Sequence, residues 1–246
     1  MKKEIIIGPI LILIFWYFLY IFKLINPLFL PSPHSVIHQF FKLLCSLLVW
    51  REIGHTLFRT ILGFIFSALI GIPIGLFMGY YKRIYSSFEF LVDFFRSLPA
   101  IALFPLFMFF FGIGDTAKIA TAIFTCSLIV IINSIYGVTS TKKTRQLVAH
   151  LMEANSKEIF RKVILMDALP QIFIGLRTSL SFSVIVIVAT EMFIGNYGIG
   201  RRIYDAQLTY RVSEMYSYII YAGLLGYSLN KGFVFIEKRF IHWSGK

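Results

Sequence analysis

Apolar segments long enough to cross a lipid bilayer constrain this chain more than any other feature of its sequence. One extends from residue 5 to 22, and others cover about 58–81, 119–138, 168–194 and 215–235. A helix needs about 20 apolar residues to cross the hydrocarbon core. Charged residues make up only 15% of the chain, whereas a soluble domain has about 25%. The sequence therefore predicts an all-α integral membrane protein.

A further apolar segment, between residues 89 and 113, is interrupted by Pro99 and Pro105. Proline inside a helix removes a backbone hydrogen bond and breaks or kinks the helix, so the freed carbonyls need partners within a bundle. With this segment the prediction is six transmembrane helices. Between the first two, "NPLFLPSPHSV" is too rich in proline for a helix, and residues 34–50 are predicted to form a helix on the membrane surface.

The basic residues between the segments predict an orientation. With a cytoplasmic N-terminus and six crossings, the inner segments carry most of the Lys and Arg residues, as the positive-inside rule requires. The inner ones are Lys2, Lys3, Lys82, Arg83, Lys142, Lys143, Arg145, Lys157, Arg161, Lys162, Lys238, Arg239 and Lys246, and the outer ones are Lys42, Arg51, Lys118, Arg201, Arg202 and Arg211. Both termini are therefore expected in the cytoplasm. The same distribution explains the net charge of +12 without nucleic acid as a partner.

Motifs for catalysis or metal binding are not found in the sequence. Cys45 and Cys126 have no metal-ligand spacing, the five histidines form no HExxH, and there is no GxSxG. We therefore expect no cofactor, no metal and no catalytic residue. An intramembrane enzyme and an ATP-independent channel or scaffold stay open as alternative functions to a transport permease.

The longest polar block, residues 139–167, reads as two short helices. Residues 147, 148, 151 and 152 share one helix face, and residues 159, 160, 163 and 164 repeat that spacing. Asn155 and Glu158 have the spacing of a capping box at the start of the second helix. Pro170 is predicted to mark a turn into the next segment. The pattern shows that two apolar faces need cover, but not whether lipid or a partner protein provides it.

Five stretches follow one another through nearly the whole chain from Leu30. They are "LPSPHSV", "TLFRTILGFIFSALIGIPIGLFMGYYKR", "FRSLPAIALFPLFMFFFGIGDTAKI", "VATEMFIGNYGIGRRI" and "GLLGYSLNKGFVFIEKRFIHW". In this order and at this spacing they resemble the permease subunit of ABC importers of the nitrate/sulfonate/taurine branch. The resemblance implies a type I ABC importer permease-like bundle of six transmembrane helices with a cytoplasmic coupling helix.

The resemblance also implies partners and a location. A cytoplasmic ABC ATPase subunit, an extracytoplasmic solute-binding protein, a second permease copy (a homodimer) and membrane lipid are expected, in a bacterial plasma (inner) membrane. The implied solute is a sulfonate-, taurine- or nitrate-like anion or a vitamin precursor. The implied domains are an N-terminal helix with an external segment (1–57), the permease core (58–240) with the coupling loop 139–167, and a cytoplasmic tail (241–246).

In this family the coupling loop inserts into a cleft on the ATPase, and the pattern that marks it is incomplete here. The residues expected to couple to the ATPase are Ala149, Glu153, Ala154, Ile159, Phe160 and Pro170. Glu153 stands where the family has glycine, and Leu147 and Val148 stand where Glu and Ala are usual. The apolar face of Ile159 and Phe160 is expected to be buried in the ATPase cleft.

Among the polar residues inside predicted membrane helices, we consider three as candidates for the translocation path: Asn133, Arg177 and Glu191. Charges at membrane depth are costly and face a bundle interior or water. For Arg177 a structural pair, or a position near the cytoplasmic interface, is the favoured alternative. "GNYGIGRR" reads as an external turn, either against a docked binding protein or with solvated charges.

Overall fold

The chain folds into helices that largely follow its apolar segments. The computed structural model describes residues 4–241, and all regular structure among them is helical. The elements are α1 (Glu4–Ile21), α2 (Pro33–Leu44), α3 (Leu47–Tyr80), α4 (Lys82–Ser97), a 3-10 turn (Ala100–Leu103), α5 (Phe104–Phe111), α6 (Asp115–Thr139), α7 (Lys143–Leu151), α8 (Ser156–Glu158), a π turn (Ile159–Ile164), α9 (Leu165–Phe193), α10 (Ile199–Leu208) and α11 (Val212–Phe240).

Four helices are long and apolar enough to cross a membrane: α3, α6, the continuous helix Ser156–Phe193, and α11. A fifth candidate is the pair Lys82–Ser97 and Ala100–Phe111, which is bent by 94°. The first predicted segment corresponds to α1, a shorter apolar helix. The all-helical membrane fold is confirmed. The six predicted crossings comprise four long helices, one bent pair and α1, whose crossing stays a prediction.

Helices α3, α6 and α9 pack closely because small residues line their contacts. Every fourth residue of α3 from 63 to 79 is Gly or Ser, and a Cβ added at Gly75 would lie 2.5 Å from Cβ of Ser134 on α6. Between α6 and α9 the same role falls to Gly137 and Gly175. Small residues let helix backbones approach closely in lipid, where van der Waals packing holds helices together. These three helices form the core of the bundle.

The contacts of the core define two ends of the bundle. Gly63 faces Ala122 and Gly79 faces Val138, so α3 and α6 run in parallel, whereas Gly137 faces Ala168, so α9 runs against them. We call the end with the starts of α3 and α6 and the end of α9 the α10 end. The opposite end, where α7 connects α6 to the helix Ser156–Phe193, is the α7 end.

Two helices differ from the sequence-based expectation. The second span begins at Leu47, with Ser46 as its cap, so the expected domain boundary at 57/58 falls inside α3 and the surface helix is confined to Pro33–Leu44. Pro170 marks no turn, because it lies inside α9. Ala168 and Ile172 on either side of it are 0% and 2% exposed, and packing of this kind lets a membrane helix tolerate proline.

Candidate functional site

At the α7 end, a nine-residue helix exposes its apolar face. In α7 and its cap, Leu147 is 60% exposed, Val148 50%, Leu151 77% and Met152 78%. These are the residues that the sequence places on one helix face. No described residue of this chain covers them. A contiguous exposed apolar face of this kind on a short polar helix indicates a surface that another molecule covers.

The C-terminus of α7 explains why glycine is usual at position 153. Glu153 N–H donates to the His150 carbonyl (3.0 Å) and Ala154 N–H to the Ala149 carbonyl (3.1 Å), which is the Schellman pattern. Glu153 is held at φ +59°, in the left-handed region. A residue with a Cβ pays about 1–2 kcal/mol there, so glycine is preferred. Ala149 and Ala154 pack half-buried against the core on either side of this turn, and their part in ATPase coupling stays a prediction.

The second helix of the polar block buries part of its apolar face in the core of this chain. The predicted capping box is confirmed, with Glu158 N–H donating to Asn155 Oδ1 at 2.9 Å and Asn155 N–H to Glu158 at 3.2 Å. The helix then continues through the π turn into α9. Ile159 is 4% exposed within the core, and Phe160 packs edge-on against Tyr80 with ring centroids 5.2 Å apart. Ile159 is thus buried within this chain, whereas the half-buried Phe160 lines an open cleft of about 480 Å³ with Tyr80 and Tyr81, so its contact with an ATPase stays a prediction.

One ion pair fastens α7 to the long helix behind it. Arg145 donates to the Asp167 carboxylate, and Asp167 is 20% exposed. The pair borders a cleft of about 350 Å³ between α7 and the start of α9, which Val148 and Met166 also line. Two features therefore orient α7: the loop 152–155 and the Arg145–Asp167 ion pair.

At the α10 end, six charged side chains form a network that we call the buried ion cluster. Its acids are Glu52, Asp115 and Glu191, and its bases are Arg59, Lys118 and Arg202, so the charges balance. Arg59 donates to Glu191 and, at 2.9 Å, to Asp115. Arg202 donates to Glu52 at 2.7 and 3.0 Å. Glu52 and Glu191 are both 0% exposed, which is sustainable because each is paired and hydrogen-bonded.

The two buried carboxylates also hold the start of α10. Gly198 N–H donates to Glu52, Gly200 N–H to Glu191 (3.1 Å), and Ile199 N–H to Thr56, whose hydroxyl donates to Glu191 at 2.9 Å. The first N–H groups of a helix have no partner within the helix, and negative charge is favoured there. Acidic side chains thus occupy the N-terminus of α10, and the segment "GNYGIGRR" is clamped to the bundle.

Glycine is required in this turn because the carboxylates approach so closely. A Cβ at Gly198, where φ is +121°, would lie 2.3 Å from the carboxyl carbon of Glu191. A Cβ at Gly200 would lie 2.0 Å from the Val188 carbonyl oxygen.

Burial by itself lowers the pKa of Arg202, but the hydrogen bonds to Glu52 and its charge outweigh burial, so the pKa of this guanidinium is raised.

The sequence contained a signal for the buried ion cluster that its interpretation missed. Glu52, Thr56 and Arg59 stand at i, i+4 and i+7, which is one helix face. Starting the second span at residue 58 removed two of them from the helix. Their partners lie more than 130 positions away, at Glu191 and Arg202, so spacing alone could not pair them.

The three path candidates separate into different environments. Glu191 belongs to the buried ion cluster. Asn133 accepts from Gln171 at 3.1 Å and donates to the Ile129 carbonyl at 2.8 Å, so it joins α6 to α9. Arg177 is exposed, and no carboxylate of the described residues lies within ion-pair distance. No cluster of metal-ligating side chains occurs among residues 4–241.

Comparison with known proteins places this geometry in a family. The model of the family described as "Binding-protein-dependent transport system inner membrane component" matches residues 71–241. The taurine transport system permease protein of Escherichia coli is 27% identical over 98% of this chain and 90% of its own length. A nitrate import permease protein of Leptolyngbya laminosa is 31% identical over 79% of this chain and 69% of its own.

Solved structures share the fold. The inward-facing MetNI methionine ABC transporter superposes with a TM-score of 0.69 at 21% identity, over 81% of this chain and 97% of that one. An amino acid ABC transporter superposes with a TM-score of 0.58 over 77% and 90%. The chain therefore belongs to the family of inner membrane components of binding-protein-dependent transport systems and is a membrane-spanning permease subunit of this type.

Proposed function

We propose that this permease imports a small solute with an oxyanion group, driven by a separate ATPase that docks on α7. Relatives are named for taurine, aliphatic sulfonates and nitrate, which share a compact anionic oxygen group. The family itself implies an ATPase and a solute-binding protein as partners. Two copies of this chain, or one with a close relative, provide the two halves that alternate access requires.

The observation that carries the docking proposal is the exposed apolar face of α7, residues 147, 148, 151 and 152. It takes the place of Ile159 as the expected contact, because Ile159 is 4% exposed and packs in the core, while the half-buried Phe160 stays a candidate. The basic residues of this end support a cytoplasmic location for it under the positive-inside rule. Glu153, which is exposed beside this face, is expected to meet a basic residue of the ATPase.

The test is co-expression with the ATPase and binding protein encoded beside the chain, followed by ATP-dependent uptake into proteoliposomes. Leu151→Ala combined with Met152→Ala should reduce co-purified ATPase by roughly tenfold or more, since an interface hot spot contributes about 2 kcal/mol. The matched control is Ile113→Ala, which truncates a side chain 79% exposed outside α7 and should retain the ATPase.

Three results would overturn the proposal. They are unchanged co-purification of the α7 double variant, uptake that proceeds without ATPase, and an active complex that contains a single permease subunit. Uptake of taurine, nitrate and methanesulfonate is compared in the same vesicles. Single cysteines at 142 and 201, in a chain otherwise free of cysteine, test the orientation, because an impermeant thiol reagent on whole cells should label only position 201.

A further inference from the structure

The cleft beside Phe160 lies between the last turns of α3 and the start of the helix Ser156–Phe193. Its volume is about 480 Å³, and its lining residues are Pro73, Leu76, Phe77, Tyr80, Tyr81, Ser156, Lys157 and Phe160. The α3 residues among them differ from Gly75 and Gly79, which face α6. The cleft therefore opens on a side of α3 that the core leaves uncovered.

The depth of the cleft follows from the middle of the core. Ser67 Oγ lies 3.2 Å from Ser179 Oγ, and Cys126, at the middle of the 25-residue α6, donates to the Ser179 carbonyl. At 1.5 Å per residue, Pro73 lies about 9 Å and Tyr80 about 20 Å from the level of Ser67 along α3. The hydrocarbon of a bilayer centred there ends at about 15 Å, with the headgroups beyond it. The cleft thus extends from the headgroup region into the hydrocarbon.

The lining of the cleft changes in polarity in the same order as a phospholipid does. Its deepest residues, Pro73 and Leu76, are apolar, and its outermost residues, Ser156 and Lys157, are polar. Between them, edge-on ring contacts of 5.0–5.2 Å join Phe77, Tyr81, Tyr80 and Phe160. Tyrosine is enriched at the headgroup level of membrane proteins. An acyl chain would therefore meet apolar and aromatic walls, and a headgroup would meet a hydroxyl and an ammonium group.

The charges at the mouth of the cleft favour an anionic headgroup. Lys157 is exposed, as are Lys82 and Arg83 at the start of α4, and none of the three pairs with a carboxylate of the described residues. Glu158, the acid next to Lys157, already binds another lysine at 3.0 Å, and Glu153 forms no ion pair with any of the three. Basic pockets between membrane helices bind anionic lipid headgroups.

We propose that this cleft binds an anionic phospholipid, with one acyl chain along Pro73 and Leu76 and the phosphate at Lys157. An acyl chain needs no hydrogen-bond partner in hydrocarbon, whereas an inserted polypeptide has to satisfy its backbone there. The inference goes beyond the proposed function and does not depend on it, because lipid binding requires neither the ATPase nor the solute. The ATPase and the second permease copy are the competing occupants.

The test is native mass spectrometry of the purified, delipidated full chain in detergent. The chain is titrated with dioleoylphosphatidylglycerol and, separately, with dioleoylphosphatidylcholine, which has the same acyl chains but no net charge. We expect the first molecule of phosphatidylglycerol to bind roughly tenfold more tightly than phosphatidylcholine, because basic residues attract an anionic headgroup. Equal affinities for the two lipids would overturn the proposal.

A lysine variant assigns this preference to the cleft. Lys157→Gln should weaken binding of phosphatidylglycerol roughly fivefold, the effect of one lysine near an anionic lipid, and should leave binding of phosphatidylcholine unchanged. The matched control is Lys142→Gln, which removes the same charge from an exposed lysine of the same end outside the cleft and should keep the affinity. Equal effects of the two variants would indicate a general attraction of this end and overturn the site.

A second variant obstructs the cleft. Ser156→Trp places a large ring at its mouth, where the serine is exposed, and should weaken the binding of both lipids. The Tm of the lipid-free variant is compared with that of the unaltered chain, and a lower Tm leaves Lys157→Gln as the deciding variant. Unchanged lipid binding by a Ser156→Trp chain of unchanged Tm would show that the lipid lies elsewhere.

The competing occupants are tested on the complex co-expressed with its ATPase. If Ser156→Trp releases the ATPase or a permease copy while phosphatidylglycerol binding stays unchanged, a protein occupies the cleft and the proposal is overturned. Retention of both subunits together with loss of the lipid supports it. Loss of the lipid site with intact ATP-driven uptake leaves the proposed function standing, and a bound lipid without ATP-driven uptake gives the reverse result.

Discussion

At the α10 end a ten-residue helix is clamped by buried charges, whereas at the α7 end a nine-residue helix keeps its apolar face exposed. The first is held by Glu52, Glu191 and three backbone N–H groups. The second is held by the Arg145–Asp167 pair and a Schellman turn. Taking one partner from a buried pair leaves an uncompensated charge, which is far costlier than losing an exposed pair. The α10 end is thus the rigid end and the α7 end the adjustable one.

One helix connects the two ends. Ser156–Phe193 runs for 38 residues, about 57 Å, from the loop behind α7 to Glu191 in the buried ion cluster. Its packing on α3 and α6 through small residues makes these helices one body. A displacement of α7 by a docked partner would therefore reach the clamp of α10 through a continuous helix. The following variants test the contrast between the ends, from the largest expected effect to the smallest.

Glu191→Ala should have the largest effect on stability. It leaves the buried Arg59 with only the half-exposed Asp115 as an acidic partner, and it removes the acceptor of Thr56 and of Gly200 N–H. Breaking a buried pair costs about 3–5 kcal/mol. Thermal unfolding in detergent should show a large fall in Tm, or the chain should fail to accumulate. A Tm equal to that of the unaltered chain would contradict the clamp, and Glu214→Ala, in an exposed pair with Arg211, is the matched control.

Gly198→Ala should destabilise the chain by about 2–3 kcal/mol. The new Cβ meets the Glu191 carboxylate, and the residue is held at φ +121°, where side chains are strained. The same substitution at Gly54, where a Cβ meets no atom within 4 Å, should cost little. Comparing the Tm values of the two variants distinguishes a clash with the Glu191 carboxylate from the general effect of replacing a glycine. Equal Tm values for the two variants would show that the turn is not clamped.

Phe160→Ala should lower stability by about 1–2 kcal/mol, because it removes a half-buried ring packed on Tyr80. Leu151→Ala, on the exposed face of α7, should change the free energy of unfolding by less than about 0.5 kcal/mol. By contrast, Leu151→Ala should reduce the amount of co-purified ATPase more than Phe160→Ala does. If Phe160→Ala releases the ATPase at unchanged Tm, the docking face includes Phe160 after all.

Glu153→Gly should have a small effect of opposite sign and stabilise the chain by about 1 kcal/mol. Glycine adopts the left-handed conformation of this position without the Cβ penalty. Glu153→Ala removes the charge but keeps a Cβ in the left-handed conformation. Comparing it with Glu153→Gly therefore distinguishes the cost of the backbone conformation from the effect of the charge. Stabilisation by both variants alike would indicate that the charge, and not the φ angle, is unfavourable. A salt-dependent loss of ATPase from both would support an ionic contact of Glu153.

Much of the fold followed from local rules. The apolar segments located the long helices, Pro99 and Pro105 located the broken one, and the Asn155–Glu158 capping box was found where its spacing predicted. The recurrence of Gly or Ser at every fourth residue of α3 is likewise visible in the sequence. These features depend on residues within a few turns of one another, which a sequence displays directly.

The site was less predictable, because its contacts are long-range. Periodicity placed residues 147–152 and 159–164 on two equivalent apolar faces, and only packing decided that the core buries Ile159 and Ile164 of the second face and leaves the first exposed. Arg177 and Glu191 looked alike as charges in one helix, yet Arg177 is exposed and Glu191 is fully buried.

The sequence by itself determined that this chain forms membrane helices, where they break, and which residues share a helix face. These properties follow from hydrophobicity and from the 3.6-residue repeat. The tertiary structure alone decided which faces are covered, which charges neutralise one another, and how deep each lies. The physical reason is that the approach of α3, α6 and α9 through their small residues brings together groups more than 100 positions apart, and no local spacing encodes that approach.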